Sequence, residues 1–272
     1  MNEHIIHRNF FRLLRAGAFQ EELTLEPMSA YKWQKLCLQA DIQGVRSFIE
    51  DEIIRQADDD YLNIPEGLVE EMAKPAGITD AEVFSDIRPL SNRFLNKRLM
   101  KIIEAEENDY DASPASLRIL GLLIYNVKQI LDYGLDFEGL LQLGIFLRST
   151  GEKVDYVKLE QWLKMLHLKR MAQLEGSILI AVFGFSQDEI PFVETLEKEA
   201  IDIVMGTLHK KKKLDPADEW YFRQRKDGFV SNNSRRLQRN LKRSLHYLRY
   251  ASLETTSSFF GNLVRSMSEI EE

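Results

Sequence analysis

The sequence predicts an all-α fold, a compact array of many helices with little or no β-sheet. The main indication lies in residues 114–183, where apolar residues recur at steps of three and four, as on the buried face of a helix. No stretch alternates apolar and polar residues between turn signals, as a half-buried strand does. We therefore expect one helical domain over residues 1–272, with roughly ten to twelve helices judged from typical helix lengths.

The first 73 residues predict four helices, each with an apolar side and a turn or capping residue at its boundary. Gly17 is placed to end the first helix, and Ser29 is placed to cap the second. The four segments are His4–Ala18, a segment that begins after Ser29, Val45–Gln56 and Pro65–Ala73.

The middle of the chain predicts one long helix and then the central stretch, residues 114–183. The long helix begins near Thr79 or only after Pro89, since proline interrupts helices, and it ends near Asp109. Ser113-Pro114 is a good helix start, because proline suits the first helical position. We expect the rest of the protein to pack around the central stretch.

The last third predicts three more helices, separated by a polar loop. The loop, Lys210–Ser231, contains the aromatic residues Trp220, Tyr221 and Phe222. The predicted helices are Pro191–Leu208, Arg235–Tyr250 and Leu253–Ile270.

Charge is distributed unevenly along the chain. The net charge is −7, but Lys210–Tyr250 holds 13 Lys and Arg against 4 Asp and Glu, so this segment carries +9 and the remainder −16. This asymmetry predicts an acidic body, residues 1–209, with a basic carboxyl-terminal segment, residues 210–272, packed on it.

Composition and cysteine usage indicate a cytoplasmic protein that does not enter a membrane. The longest apolar runs, such as Ile178–Phe183, are far too short to span a bilayer, and Met1–Arg15 is amphipathic rather than a signal peptide. The single cysteine, Cys37, excludes an internal disulfide and a cysteine-based zinc site. Because Cys37 lies on a helical apolar pattern, we expect a core thiol rather than a nucleophile.

Two kinds of residue cluster are candidates for metal binding. His4 and His7 stand three apart on one helix, but no third ligand lies near them in the sequence. The acidic groups Asp58–Asp60 and Asp109/Asp111 offer the carboxylate oxygens that Mg²⁺ prefers. Such clusters between helices are usually solvated turns, and we favour that interpretation. We therefore predict no catalytic residue, no cofactor and no metal site.

A second candidate site is basic. Its cations occur at steps of three and four, covering about half of a helix surface, and Tyr247 and Tyr250 lie among them. Basic residues interleaved with aromatic ones are typical of a surface that contacts nucleic-acid phosphates and stacks on bases. The alternative, which we favour, is that these cations pair with the acidic body or pack their stems on a neighbouring helix. The cations are Arg235, Arg236, Arg239, Lys242 and Arg243.

Several helical segments resemble a bacterial family of uncharacterised nucleotidyltransferases, which are related to polymerase-β-like enzymes. The amino-terminal similarity covers FFRLLRAGA and YKWQKLCLQADIQGV, and the carboxyl-terminal similarity covers RYASLETTSSFFGNLVRS. The similar segments are Phe10–Ala18, Tyr31–Val45, Ser91–Glu106, Leu117–Phe185 and Arg249–Ser266.

The resemblance implies an activity whose core this chain lacks. The family's reaction needs a Gly-Ser turn that holds nucleotide phosphates and an Asp-x-Asp or Asp-x-Glu pair that holds two magnesium ions. That core would take on the order of a hundred residues, whereas only Glu107–Ser113 joins the two similar halves here. Gly176-Ser177 precedes Asp188-Glu189 without a residue between the carboxylates, and Asp109-Tyr110-Asp111 has no Gly-Ser before it.

We therefore expect a non-catalytic binding or regulatory protein that resembles a nucleotidyltransferase without its catalytic core. A protein partner would bind the acidic face or an exposed groove. The first alternative is nucleic-acid or nucleotide binding through the basic carboxyl-terminal third. The second is an active metal-dependent nucleotidyltransferase.

Overall fold

The computed structural model describes residues 3–22, 24–73, 87–209 and 241–268. Most of these residues are helical and none of them is in a strand, so the prediction of an all-α fold is confirmed. Within these ranges, no helix combines the length and the hydrophobicity needed to cross a bilayer. That the chain forms a single domain stays a prediction.

The helices follow the predicted order, with short turns between most of them. Two 3₁₀ turns, Asp60–Leu62 and Gly151–Lys153, lie between the α-helices. The α-helices are α1 (Glu3–Phe19), α2 (Ala30–Ile42), α3 (Arg46–Arg55), α4 (Glu66–Met72), α5 (Arg93–Asn108), α6 (Pro114–Asp132), α7 (Phe137–Thr150), α8 (Tyr156–Met165), α9 (Lys169–Phe183), α10 (Ala200–His209), α11 (241–247) and α12 (Ser252–Ser268).

The core is built around α6 and α9, which come from the central stretch. Eleven of the 19 residues of α6 are buried, and it contacts α5, α7, α8, α9 and α12. In α9, ten of 15 residues are buried, including an unbroken run from Met171 to Leu179. A helix buried on more than one side must be apolar on more than one side. The central stretch meets that requirement.

The crossing of α1 and α3 depends on Gly17. We predicted that Gly17 ends the first helix, and this is wrong, because α1 continues to Phe19. A Cβ atom added at Gly17 would overlap the backbone carbonyl of Phe48 on α3. The glycine therefore allows two helix backbones to approach directly, and it does so from inside a helix rather than from a turn.

The start of α5 agrees with one of the two predicted positions. The helix begins at Arg93, after Pro89, and Asn92 is its N-cap. The Asn92 side chain accepts hydrogen bonds from the backbone N–H groups of Phe94 and Leu95, at 3.0 and 3.1 Å. The same turn also receives a side chain from α12.

The predicted helix Pro191–Leu208 is wrong in its first half. Residues 186–199 run as turns, and only Ala200–His209 is helical. In this irregular segment Phe192 and Val193 are buried, and Val193 packs so closely on Gly176 of α9 that a Cβ atom there would overlap it. Phe192 and Val193 therefore reach the core from turns, whereas Leu196 is exposed, and their helix-like spacing predicted neither result.

Candidate functional site

The acidic pair Asp109/Asp111 forms a turn that is closed by a lysine. The Asp109 carboxylate accepts a hydrogen bond from the Asp111 backbone N–H at 3.1 Å, and Lys158 lies 3.3 Å from the same carboxylate. The backbone hydrogen bond, and then Lys158, lower the pKa of Asp109. Lys158 also donates to the Asp111 carbonyl oxygen at 2.6 Å. A lysine ammonium thus already contacts both residues.

The other acidic candidate, Asp58–Asp60, also forms a local turn. Asp59 accepts a hydrogen bond from the backbone N–H of Tyr61 at 3.0 Å and so caps a 3₁₀ turn. Among the described residues, no three His, Cys, Asp or Glu side chains, His4 and His7 included, are grouped so that they could hold a metal ion. Cys37 is buried, and burial raises its pKa to about 12, with a smaller contribution from Asp41. It is the core thiol that the sequence predicted.

The structure describes only part of the basic candidate site. Arg235, Arg236 and Arg239 lie outside the described residues, as do the aromatic residues Trp220, Tyr221 and Phe222. Lys242 is exposed and Arg243 is half-buried in the described part of α11. Nucleic-acid contact through these cations stays a prediction.

The two tyrosines of the basic segment, which the nucleic-acid interpretation treats as stacking platforms, are enclosed in the protein. Tyr247 and Tyr250 are buried. Two arginines lie over the Tyr250 ring, Arg170 at 5.2 Å and Arg249 at 4.8 Å from its centroid. These tyrosines anchor the end of α11 to the body of the protein, so their faces are not free to stack on bases.

Helix α11 exposes its leucines. Leu241 and Leu245 lie one turn apart on α11, Leu248 lies in the turn directly after the helix, and all three are exposed, Leu245 with 63% of its surface. Tyr247 points the other way, into the core. We call these three leucines the α11 face.

Helix α12 likewise has its apolar side outside. Leu253, Phe260 and Val264 share one side of the helix and are 42%, 62% and 65% exposed. The buried side of α12 is polar. It consists of Glu254, Thr255 and Ser258. This is the reverse of an ordinary amphipathic surface helix, whose apolar stripe faces the core. Leu253, Phe260 and Val264, with the small residues Thr256, Ser257 and Gly261 between them, form what we call the α12 face.

One hydrogen-bonded contact attaches the polar side of α12 to the start of α5. The Glu254 carboxylate accepts the backbone N–H groups of Ser91 and Asn92 at 2.5 and 3.0 Å. The amino-terminal end of a helix has unpaired N–H groups and a positive dipole end, so a buried carboxylate is stabilised there. The Asn92 side chain in turn donates to the Ser257 hydroxyl at 2.9 Å.

A second contact attaches α12 to the end of α6. The Asp132 carboxylate accepts hydrogen bonds from the Ser258 hydroxyl at 3.0 Å and from the Asn262 side chain at 3.1 Å. The two contacts together hold α12 by its polar side. The apolar side chains Leu253, Phe260 and Val264 are consequently left on the surface. The α11 and α12 faces together are the carboxyl-terminal surface.

A cleft of about 400 Å³ lies between α1 and α3, and three carboxylates line it. Two of its three carboxylates are already paired. Glu21 lies 2.6 Å from Arg15 and 2.9 Å from Arg148, and Glu52 lies 2.9 Å from Arg55. The lining residues are Ala16, Gly17, Gln20, Glu21, Ser47, Phe48, Asp51, Glu52 and Arg55.

The deepest polar group of the core is Glu175 on α9. It is fully buried and accepts one hydrogen bond, from the Asn126 side chain at 2.9 Å. Its second carboxylate oxygen and the Asn126 carbonyl oxygen have no hydrogen-bond partner. Burial raises the pKa of Glu175 well above its usual range, although the Asn126 hydrogen bond opposes the shift. The pair lies inside the helix array, away from any described cleft, and we assign it a structural role.

Comparisons with family models, with curated proteins and with solved structures find no match to this chain. The resemblance of its helical segments to nucleotidyltransferases therefore stays a prediction.

Proposed function

We propose that this chain is a non-catalytic binding protein that contacts a protein partner through its carboxyl-terminal surface. The observation that carries the proposal is the apolar side that α11 and α12 each leave exposed. Six large apolar side chains are exposed there, on two consecutive helices and the turn between them, while α12 buries Glu254 and Ser258 instead. Several exposed apolar side chains on one side of a helix are typical of an interaction site.

The energetics favour a partner that covers this surface. Burying an exposed leucine, valine or phenylalanine side chain completely is worth about 1.5–3 kcal/mol. The six side chains are only partly exposed, so each would contribute roughly 1 kcal/mol on association. Elsewhere in the described chain other large apolar residues are exposed too, among them Leu38 on α2 and Val157 on α8. Single exposed residues of that kind are ordinary.

Charge makes the surface suitable for a protein rather than a small anion. Lys242 and Arg243 lie beside the α11 face, and the α12 face has no ionisable residue. A partner with apolar side chains opposite the leucines and carboxylates opposite Lys242 would fit both features.

The test compares two leucine variants in a capture experiment. We expect Leu245→Glu to lose the proteins that the wild-type chain retains from an extract of its own organism, because a charge would enter the apolar contact. Leu38→Glu is the matched control, since Leu38 is 57% exposed on α2 and Leu245 is 63% exposed on α11. Circular dichroism should show equal helix content in both variants. Equal retention by both variants would contradict the proposal.

A further inference from the structure

We propose that the partner of the α12 face is a second copy of this chain, bound through its own α12 in an antiparallel, two-fold arrangement. The inference rests on the proposed function, because it names the occupant of one half of the carboxyl-terminal surface. Three observations support it, namely the charge of the face, the order of large and small residues along it, and the open space beside Gly261.

Charge restricts where two copies can meet. The chain carries −7 overall and −16 outside Lys210–Tyr250, so most faces of one copy repel the same faces of another. The α12 face carries no ionisable side chain, and the one acidic residue of α12, Glu254, is buried against the start of α5. An approach of two copies at this face therefore brings no ionisable side chain of the face against its counterpart.

The order of residues makes the face complementary to itself. A two-fold contact places the same patch on both sides, so each large residue needs a small or apolar residue opposite it. With the axis midway between Ser258 and Phe259, Leu253 lies level with Val264 of the second copy. The same axis sets Ser257 opposite Phe260 and Thr256 opposite Gly261. Apolar residues thus meet apolar residues, and large residues meet small ones.

The structure leaves room for this close approach. A Cβ atom added at Gly261 would meet nothing within 4 Å, so the surface beside this glycine is open. Phe260 projects from the helix next to it with 62% of its surface exposed. Helices that carry small residues at a contact can pack at the short end of the usual 8–10 Å separation. Phe260 of each copy would then lie over Ser257 of the other.

A lipid surface fits this face less well. Helices that lie in a membrane interface combine an apolar side with flanking Lys and Arg that attract anionic headgroups. The ionisable residues of α12 are the buried Glu254 and the single Arg265, so the helix lacks the rows of Lys and Arg that such helices carry. Binding to anionic vesicles is therefore an outcome that would count against a second copy as the occupant.

The first experiment measures the mass of the chain in solution. Sedimentation velocity over a concentration series should show a dimer for the wild-type chain, and Val264→Glu should shift it to the monomer by at least tenfold in dissociation constant. Val157→Glu is the matched control, since Val157 is 68% exposed on α8 and Val264 is 65% exposed on α12. A monomer at every concentration, or an equal effect of both variants, would overturn the proposal.

The second experiment tests the antiparallel register. The double variant Leu253→Cys, Val264→Cys should form covalent dimers under mild oxidation, because the two new thiols lie level across the axis. Each single variant should stay monomeric on a denaturing gel. Residues 253 and 264 are about 16 Å apart along one helix, at 1.5 Å per residue, which is beyond the reach of a disulfide. Equal cross-linking of the single variants would indicate a parallel pair and overturn the proposal.

The results separate this inference from the proposed function. If the wild-type chain is monomeric but Leu245→Glu loses other captured proteins, the second copy is overturned as the occupant and the proposed binding surface stands. A dimer that Val264→Glu dissociates supports both. If neither variant changes any association, both proposals fail.

Discussion

The central helices α6 and α9 and the last helices α11 and α12 follow opposite rules within one chain. In α6 and α9 the apolar residues are inside, and the polar pair Asn126–Glu175 is enclosed by them. In α12 the polar residues are inside, hydrogen-bonded to the ends of α5 and α6, and the apolar residues are outside. The difference indicates that α6 and α9 serve stability, whereas α11 and α12 retain apolar surface that a partner can cover.

The comparison is sharpest when one large side chain is removed from each region. Leu123→Ala in α6 should lower the free energy of unfolding by about 2–5 kcal/mol, because Leu123 is fully buried and its loss leaves a cavity. Phe260→Ala in α12 should change it by less than about 0.5 kcal/mol, as at an ordinary surface position. Urea denaturation at low protein concentration, where association is absent, measures both values. A loss above about 2 kcal/mol for Phe260→Ala would show that the α12 face is part of the core.

The second prediction breaks the attachment of α12. Glu254→Ala removes the acceptor for the Ser91 and Asn92 N–H groups and should cost about 1.5–3 kcal/mol, the usual range for hydrogen bonds to a charged group. Hydrogen exchange should then accelerate in α12 and at the start of α5, and stay unchanged in α9. Faster exchange throughout the chain would instead mean that α12 is needed for the whole fold.

The third prediction concerns pH and the central region. Burial raises the pKa of Glu175 in the folded chain above that of the unfolded chain, so the folded state binds the proton more tightly. The stability that this carboxyl contributes is fully present below its unfolded pKa, the ordinary glutamate range, and is lost as pH rises towards the folded value. We expect Glu175→Gln to unfold at a higher temperature than wild type at pH 8, with the difference shrinking at pH 4. An equal difference at both pH values would exclude titration of Glu175 as the cause.

The smallest effect is expected for nucleic acid. Because Tyr247 and Tyr250 are buried, the segment lacks two of the stacking surfaces that the nucleic-acid interpretation requires. We expect weak binding to single- or double-stranded DNA that disappears as salt rises to physiological strength, and that Arg239→Glu with Lys242→Glu abolishes. A fluorescence anisotropy titration at several salt concentrations measures it. Tight binding that persists at high salt would favour the nucleic-acid alternative.

Much of the fold was predictable, because helical spacing and turn residues are local signals. The spacing in residues 114–183 correctly predicted the centre of the protein, and Ser113-Pro114 correctly marked the start of α6. The failures involve contacts between distant segments. Glycine is a residue typical of helix ends, yet Gly17 is needed inside α1, where the helix crosses α3 at Phe48. Phe192 and Val193 have helical spacing, yet they reach the core from turns.

The carboxyl-terminal surface was not predicted, although its residues are visible in the sequence. Leu253, Phe260 and Val264 fall on one side of a helix, and Glu254 and Ser258 fall on another. The spacing alone does not tell which side faces the protein. That choice depends on Ser91 and Asn92, more than 160 positions away, which offer the N–H groups that Glu254 accepts. The signal that was available is a row of polar residues beside a row of apolar residues on one helix.

The most direct test of the account is amide hydrogen exchange of α12 as a function of protein concentration. We expect residues 252–264 to become more protected as the wild-type chain is concentrated, and α9 to show the same protection throughout. In Val264→Glu the protection of α12 should not depend on concentration. Exchange in α12 that is identical at every concentration in the wild-type chain would contradict the claim that its apolar side is a contact surface.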